Sequence, residues 1–182
     1  MAGFKLTYGT MFNPPEALHE GFDKAVAKLK QNLGKEYGMF IDGKDVFSDE
    51  KFDDHSPVNT GWMLARMQKG NALHARMAIE AARKAFPGWS HTPWQKRVLR
   101  PYGVWLILSP FNCPFALTGG PTGGALVAGN TVVIKPASDT AWIVRLYAEC
   151  LRDAGFPPGV FNFVTGPGST VGQALVDSPE VD

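Results

Sequence analysis

Cysteine is scarce in this chain. Its 182 residues hold two, Cys113 and Cys150. Two thiols do not make a disulfide framework and suit a reducing compartment, so the expected location is the cytoplasm. Charge of one sign is missing as well. Eighteen basic residues meet seventeen acidic ones, for a net charge of +1. That balance gives no electrostatic case for nucleic acid or for an anionic membrane surface. No apolar run reaches membrane-spanning length, and none follows Met1-Ala-Gly-Phe-Lys5 as a signal core. No repeat at solenoid spacing, no glycosylation acceptor and no cluster of metal ligands is present, so no metal site is expected.

What the chain does have is a 45% hydrophobic composition with 20 glycines and 14 prolines spread along it. That suits a loop-rich α/β protein of one domain or slightly more. Residues 1–14 form a polar and aromatic arm with no period. From Pro14-Pro15, Leu18, Phe22, Ala25, Val26, Leu29 and Leu33 fall on one helical face, and Gly34 ends it. Tyr37–Ile41 and Asp45–Phe47 flank Asp42-Gly43, a two-residue hairpin signal. Residues 48–60 read as a polar, turn-rich connection. Residues 62–67 can form a strand. Residues 72–86 form a second helix, which Pro87-Gly88 is expected to close.

Residues 91–101 are unusual. Thr92-Pro93-Trp94-Gln95 combines a good N-cap, a proline at the first helical position and a capping-box partner. A long helix should follow, yet Pro101 arrives six residues later. Two readings stand: a short connector helix, or sequence missing at about Val98–Arg100.

From Gly103 onward one unit recurs three times. Gly103–Ser109, Thr131–Lys135 and Val160–Thr165 are short apolar runs. Helices are expected after Pro114 through Ala128, over 140–154, and near 170–176. Short runs without polar alternation suit a sheet covered by helices on both faces. Alternating β and α elements favour a parallel sheet with right-handed crossovers. The fold class is therefore α/β: a partial doubly wound parallel sheet over 101–182, preceded by a helix and hairpin region over 1–100. Ligands of such sheets bind beyond the carboxyl ends of the strands. The loops at 110–114, 135–139 and 165–169 all lie at that edge.

Few groups in those loops can do chemistry. The Asn112 carboxamide can donate to a developing oxyanion; the same residue type also serves as an N-cap or Asx turn ahead of Pro114. Lys135 can bind ribose hydroxyls or phosphate, or be a solvated charge at a strand end. Ser138 can cap the following helix. Gly166-Pro-Gly168-Ser-Thr-Val-Gly172 is GxGxxxG, one residue longer than the dinucleotide fingerprint and placed after the third strand rather than the first. Cys113 and Cys150 read as small buried thiols.

Together these loops resemble the aldehyde dehydrogenase superfamily. The likeness runs through Pro110-Phe-Asn-Cys-Pro114, Gly129-Asn-Thr-Val-Val-Ile-Lys-Pro-Ala-Ser138, Ala154-Gly-Phe-Pro-Pro-Gly-Val-Phe-Asn162 and Gly166-Pro-Gly168 with Gly172. Arg100-Pro-x-Gly-Val104 and Ala85-Phe-Pro-Gly-Trp89 add to it, so it covers residues 38–182. The arm with Asn13-Pro-Pro-Glu-Ala17 is similar to the pyrroline-5-carboxylate dehydrogenase branch. The resemblance implies a Rossmann-like domain and NAD(P)-dependent oxidation of a small-molecule aldehyde to an acid. It implies that Asn112 helps form the oxyanion hole. It further implies that Ser109, Pro110, Phe111, Lys135, Ala137, Ser138, Gly168 and Gly172 surround NAD or NADP. Serine at 138, where NAD-preferring members often carry glutamate, removes a carboxylate that would repel a 2′-phosphate.

The departures carry expectations too. The family runs a long helical stretch where residues 93–98 and 100–104 are nearly fused here, which points to an internal deletion. Within 182 residues neither the family's glutamate base nor its cysteine nucleophile has a counterpart, and Cys113 stands where an aromatic residue is common. The chain is therefore expected to be a cofactor-binding remnant with weak or lost cofactor affinity. The alternatives are a non-catalytic interaction module, which could self-associate, and one half of a split enzyme joined to a complementary chain.

Overall fold

The computed structural model describes residues 14–91 and 101–182. The expected helix start at Thr92 and the arm over 1–13 lie outside them. Helix α1 spans Glu16–Lys30. Strands β1 (Lys35–Tyr37), β2 (Met39–Ile41), β3 (Lys44–Val46), β4 (Lys51–His55) and β5 (Met63–Gln68) follow. Helix α2 is Ala72–Ser90. Then strand and helix alternate: β6 (Val104–Ser109), α3 (Pro114–Ala128), β7 (Thr131–Pro136), α4 (Ala141–Asp153) and β8 (Phe161–Phe163). A π turn over Gly168–Gly172 runs into α5 (Gln173–Val176).

The main sheet has the order β3-β2-β8-β7-β6. β6, β7 and β8 are parallel, with Val104 beside Thr131 and Val132 beside Phe161. The N-terminal hairpin belongs to this sheet: β2 runs antiparallel to both β3 and β8. Asp42 and Gly43 form its turn with φ of 48° and 78°, the left-handed pair that a tight two-residue hairpin requires. A separate sheet, β1-β5-β4, packs beside it.

β7 explains the layering. All six of its residues are buried, so it has a core on each face. Val132 and Ile134 point into a cluster with Leu126, Val144, Ala148, Phe161 and Phe163. Val133 points the other way, into Ala75, Ala78, Ala82, Val171 and Leu175. Period 2 along one strand thus separates an α3/α4 layer from an α2/α5 layer. Burying such residues stabilises by roughly 1.5–3 kcal/mol each. Buried amides lock the connections. Asn130 accepts from Tyr102 N and Gly103 N at 2.6 and 3.0 Å, holding the chain as it enters β6. Asn162 accepts from Asp42 N at 3.0 Å and donates to Gly159 O at 2.9 Å, tying the hairpin turn to β8.

Four expectations need correction. Residues 51–55 are a strand, not part of a connection. Its period-2 signal is hidden because one inward residue, Asp54, is acidic; its carboxylate accepts from Trp142 N at 3.0 Å in the first turn of α4. Pro87 and Gly88 do not close α2 but lie inside it. Proline removes one helical hydrogen bond, and the last turn is held instead by Trp89 packed on Phe156 at 5.5 Å. Both cysteines are exposed, Cys113 in a left-handed turn before α3 and Cys150 on the outer side of α4. Finally, helices do not cover β6 fully: Trp105 and Leu108 are 37% and 51% exposed. The apolar stripe of α1 is uncovered too, with no buried residue and Phe22 66% exposed.

Candidate functional site

β6 and β7 end side by side, with Ser109 in register with Pro136. At that shared end the chain opens a cleft of about 400 Å³. Each wall has a local cause. Ser109 ends β6, and its hydroxyl accepts from Thr118 Oγ1 at 2.6 Å, which docks the second turn of α3. Pro110 and Pro136 stop their strands. Gly168 and Gly172 line the opposite wall from the π turn.

Lys135 is the one cation in this wall. It is 8% exposed, and its Nζ donates to Pro136 O at 3.0 Å. Burial alone pushes its ammonium below the ordinary lysine range, and no carboxylate pulls it back. Gly172 leaves room for the stem: a β-carbon there would sit 3.6 Å from Lys135 Cε. A longer side chain at 172 would close the cleft above the lysine. The wall contains no aspartate or glutamate. The arrangement is an apolar slot with one partly desolvated cation, backbone carbonyls and a hydroxyl. It can take a flat apolar group with hydroxyl or anionic substituents.

Six of the expected cofactor residues line this cleft together: Ser109, Pro110, Lys135, Ala137, Gly168 and Gly172. Phe111, Asn112 and Ser138 do not. Phe111 and Asn112 are exposed in the turn leaving β6, and Ser138 is exposed at the start of a 3-10 turn. Leu108, Pro136, Gln173 and Val176 line it without having been anticipated. Gln173 and Val176 had a readable signal. Residues 168, 172, 173 and 176 fall on one helical face, so glycines facing a ligand bring those two with them.

The Aldehyde dehydrogenase family matches residues 45–99 and, separately, 98–182. The 1-pyrroline-5-carboxylate dehydrogenase of Geobacillus sp. (strain WCH70) is 30% identical over 234 aligned residues, covering 90% of this chain and 45% of that protein. The chain thus spans about half the length of the curated relatives it matches. Among solved structures, 1-pyrroline-5-carboxylate dehydrogenase from Thermus with bound NAD superposes with a TM-score of 0.85 at 22% identity. That match covers 100% of this chain and 49% of the other. Proline utilization A from Bdellovibrio bacteriovorus gives 0.83 at 23% identity, over 98% of this chain and 26% of that one. These likenesses show the Rossmann-like α/β fold, and the chain belongs to the aldehyde dehydrogenase family.

Proposed function

We propose that the cleft between β6, β7 and the π turn holds the adenosine side of NAD or NADP. The observation that carries this reading is the buried Lys135 ammonium, which has no carboxylate partner in a slot walled by Gly168 and Gly172. The donor set fits the cofactor: Lys135 for ribose hydroxyls or phosphate, Leu108 and Val176 for the adenine face, Ser109 and Gln173 for polar edges. When bound, the cofactor supplies the hydride acceptor. These residues bind and orient it. Absence of an acidic side chain from the wall favours NADP as well as NAD, because nothing there repels a 2′-phosphate.

The reading extends to the family reaction, NAD(P)-dependent oxidation of an aldehyde to an acid, with Asn112 as an oxyanion donor. We further propose that the 182 residues alone do not turn an aldehyde over. Hydride transfer needs a thiolate to form the covalent adduct. Cys113 and Cys150 are the only thiols, and among the described residues neither is hydrogen-bonded to a base. An internal deletion at about Val98–Arg100 is supported by two observations. The family matches in two stretches that meet at 98–99, and the alignment with the Geobacillus enzyme runs to 234 positions while covering 90% of this 182-residue chain.

The test is calorimetric titration with NAD⁺, NADP⁺ and AMP, alongside Lys135→Ala. Saturable binding that the variant loses supports the site. Equal affinity in both proteins overturns it.

A further inference from the structure

The loop that leaves β6 has few bonds of its own. It runs from Ser109 to Pro114, where α3 begins. Pro110 and Pro114 bring no backbone N–H to it. Phe111 and Asn112 are exposed, and among the described residues neither makes a hydrogen bond. Cys113 sits at φ 50° and ψ 46°, a left-handed conformation that costs free energy in any residue but glycine. Its side chain does not cap the helix that follows. Local sequence gives this loop little reason to keep one shape.

A buried hydroxyl closes it. Thr118 is 0% exposed in the second turn of α3. Its Oγ1 lies 2.6 Å from Ser109 Oγ and 2.6 Å from Pro114 O, and Ser109 Oγ lies 3.3 Å from the same carbonyl. Two hydroxyl protons serve three oxygens, so the triangle stays bonded whichever way they run. The contact with Pro114 O is the ordinary back-bond of a helical threonine. The contact with Ser109 is different: it crosses from helix to strand and joins the two ends of the loop. Ile107 and Ser109 share the face of β6 that meets α3, which puts the buried serine within reach.

We propose, on the strength of the cleft reading, that Thr118 is a positioning residue for the cofactor site. Through Ser109 and Pro114 it fixes the loop that carries Pro110, a wall of the cleft, and Asn112, the proposed oxyanion donor. Thr118 does not line the cleft and touches no ligand there. It holds Ser109 and Pro110 where a nucleotide meets them, so that binding does not have to order the loop.

Thr118→Val keeps the branched shape and removes the hydroxyl, whereas Thr118→Ser keeps the hydroxyl. In calorimetric titration with NAD⁺, Thr118→Val should bind about fivefold more weakly, the worth of one hydrogen bond, and Thr118→Ser within about twofold of the wild type. In a Ser109→Ala background the valine substitution should add less than about a twofold effect, because both changes break one contact. Amide exchange without nucleotide reads the loop independently. Leu117 N, which donates to Cys113 O at 3.0 Å, should exchange about fivefold faster in Thr118→Val, with the β7 amides unchanged. Ser109→Ala should speed the same amide, and it carries the test if Thr118→Val does not fold. Wild-type affinity in Thr118→Val, no recovery in Thr118→Ser, or an unchanged Leu117 amide overturns this inference alone. A wild type that binds no nucleotide overturns the cleft reading and this inference with it.

Discussion

At the residue scale, the proposed site rests on Lys135, a buried ammonium with a lowered pKa. A buried cation without a charged partner costs folding free energy. Lys135→Met should therefore leave Tm unchanged or raise it by a few degrees, about 1 kcal/mol for a chain this size, while adenosine affinity falls at least about tenfold. The sign with pH follows from the depressed lysine pKa. The folded state binds fewer protons there, so the wild type regains stability as pH rises toward the ordinary lysine value, and the variant's advantage fades. Thermal melts of both proteins from neutral to alkaline pH check this. Asp54 gives the opposite case. Burial raises its carboxyl pKa, against a hydrogen bond from Trp142 N. Its favourable contribution is complete below the ordinary aspartate value and is lost as pH rises through the folded pKa. Asp54→Asn keeps an acceptor and removes the charge. It should match the wild type in acid and exceed it at neutral pH, read as the difference between paired melts.

At the element scale, two loops approach so closely that only glycine fits. Gly70 N donates to Thr165 O at 2.8 Å, and a β-carbon on Gly70 would collide with that carbonyl. A β-carbon on Gly166, whose φ is 149°, would lie 2.6 Å from Gly70 O and from Val171 Cγ2. Gly166→Ala should cost about 2 kcal/mol or more in urea unfolding and should weaken nucleotide binding as well, because the same loop leads into Gly168. Wild-type stability in that variant would contradict the account. Much of this scale was legible beforehand. The β6–β8 runs, the Asp42-Gly43 turn and the glycine loops announce themselves through period and punctuation. β4 did not, because Asp54 faces inward to serve a helix 88 residues away. Nor did the last turn of α2, which continues past Pro87 with Trp89 packed on a distant phenylalanine. Local pattern cannot report a partner supplied by tertiary packing. The cleft divides the same way. Lys135 and the glycines stood out by type and place, whereas Leu108 and Pro136 join only because β6 and β7 end in register.

At the scale of the whole molecule, an apolar edge stands out. β6 pairs with β7 on one side; on the other, Asp182 meets Val104 with a 3.0 Å backbone bond. Trp105 and Leu108 are exposed along that strand, and Phe111 and Phe115 continue the apolar surface at 69% and 54% exposure. The opposite edge, β3, carries Lys44 and Asp45. Uncharged strand edges invite pairing. The 182-residue chain should therefore show a scattering mass that rises with concentration, and Trp105→Lys should suppress the rise. A monodisperse monomer at all concentrations would contradict this. The central proposal is narrower: these residues bind the adenosine side of the cofactor and do not by themselves oxidise an aldehyde. The most direct measurement is one calorimetric titration of the chain with NAD⁺ and NADP⁺, with an aldehyde added to the same sample. The account predicts saturable binding, weakened at least about tenfold in Lys135→Met, and no reduced cofactor formed. A folded chain that binds neither nucleotide, or one that reduces NAD(P)⁺ with aldehyde, would contradict it.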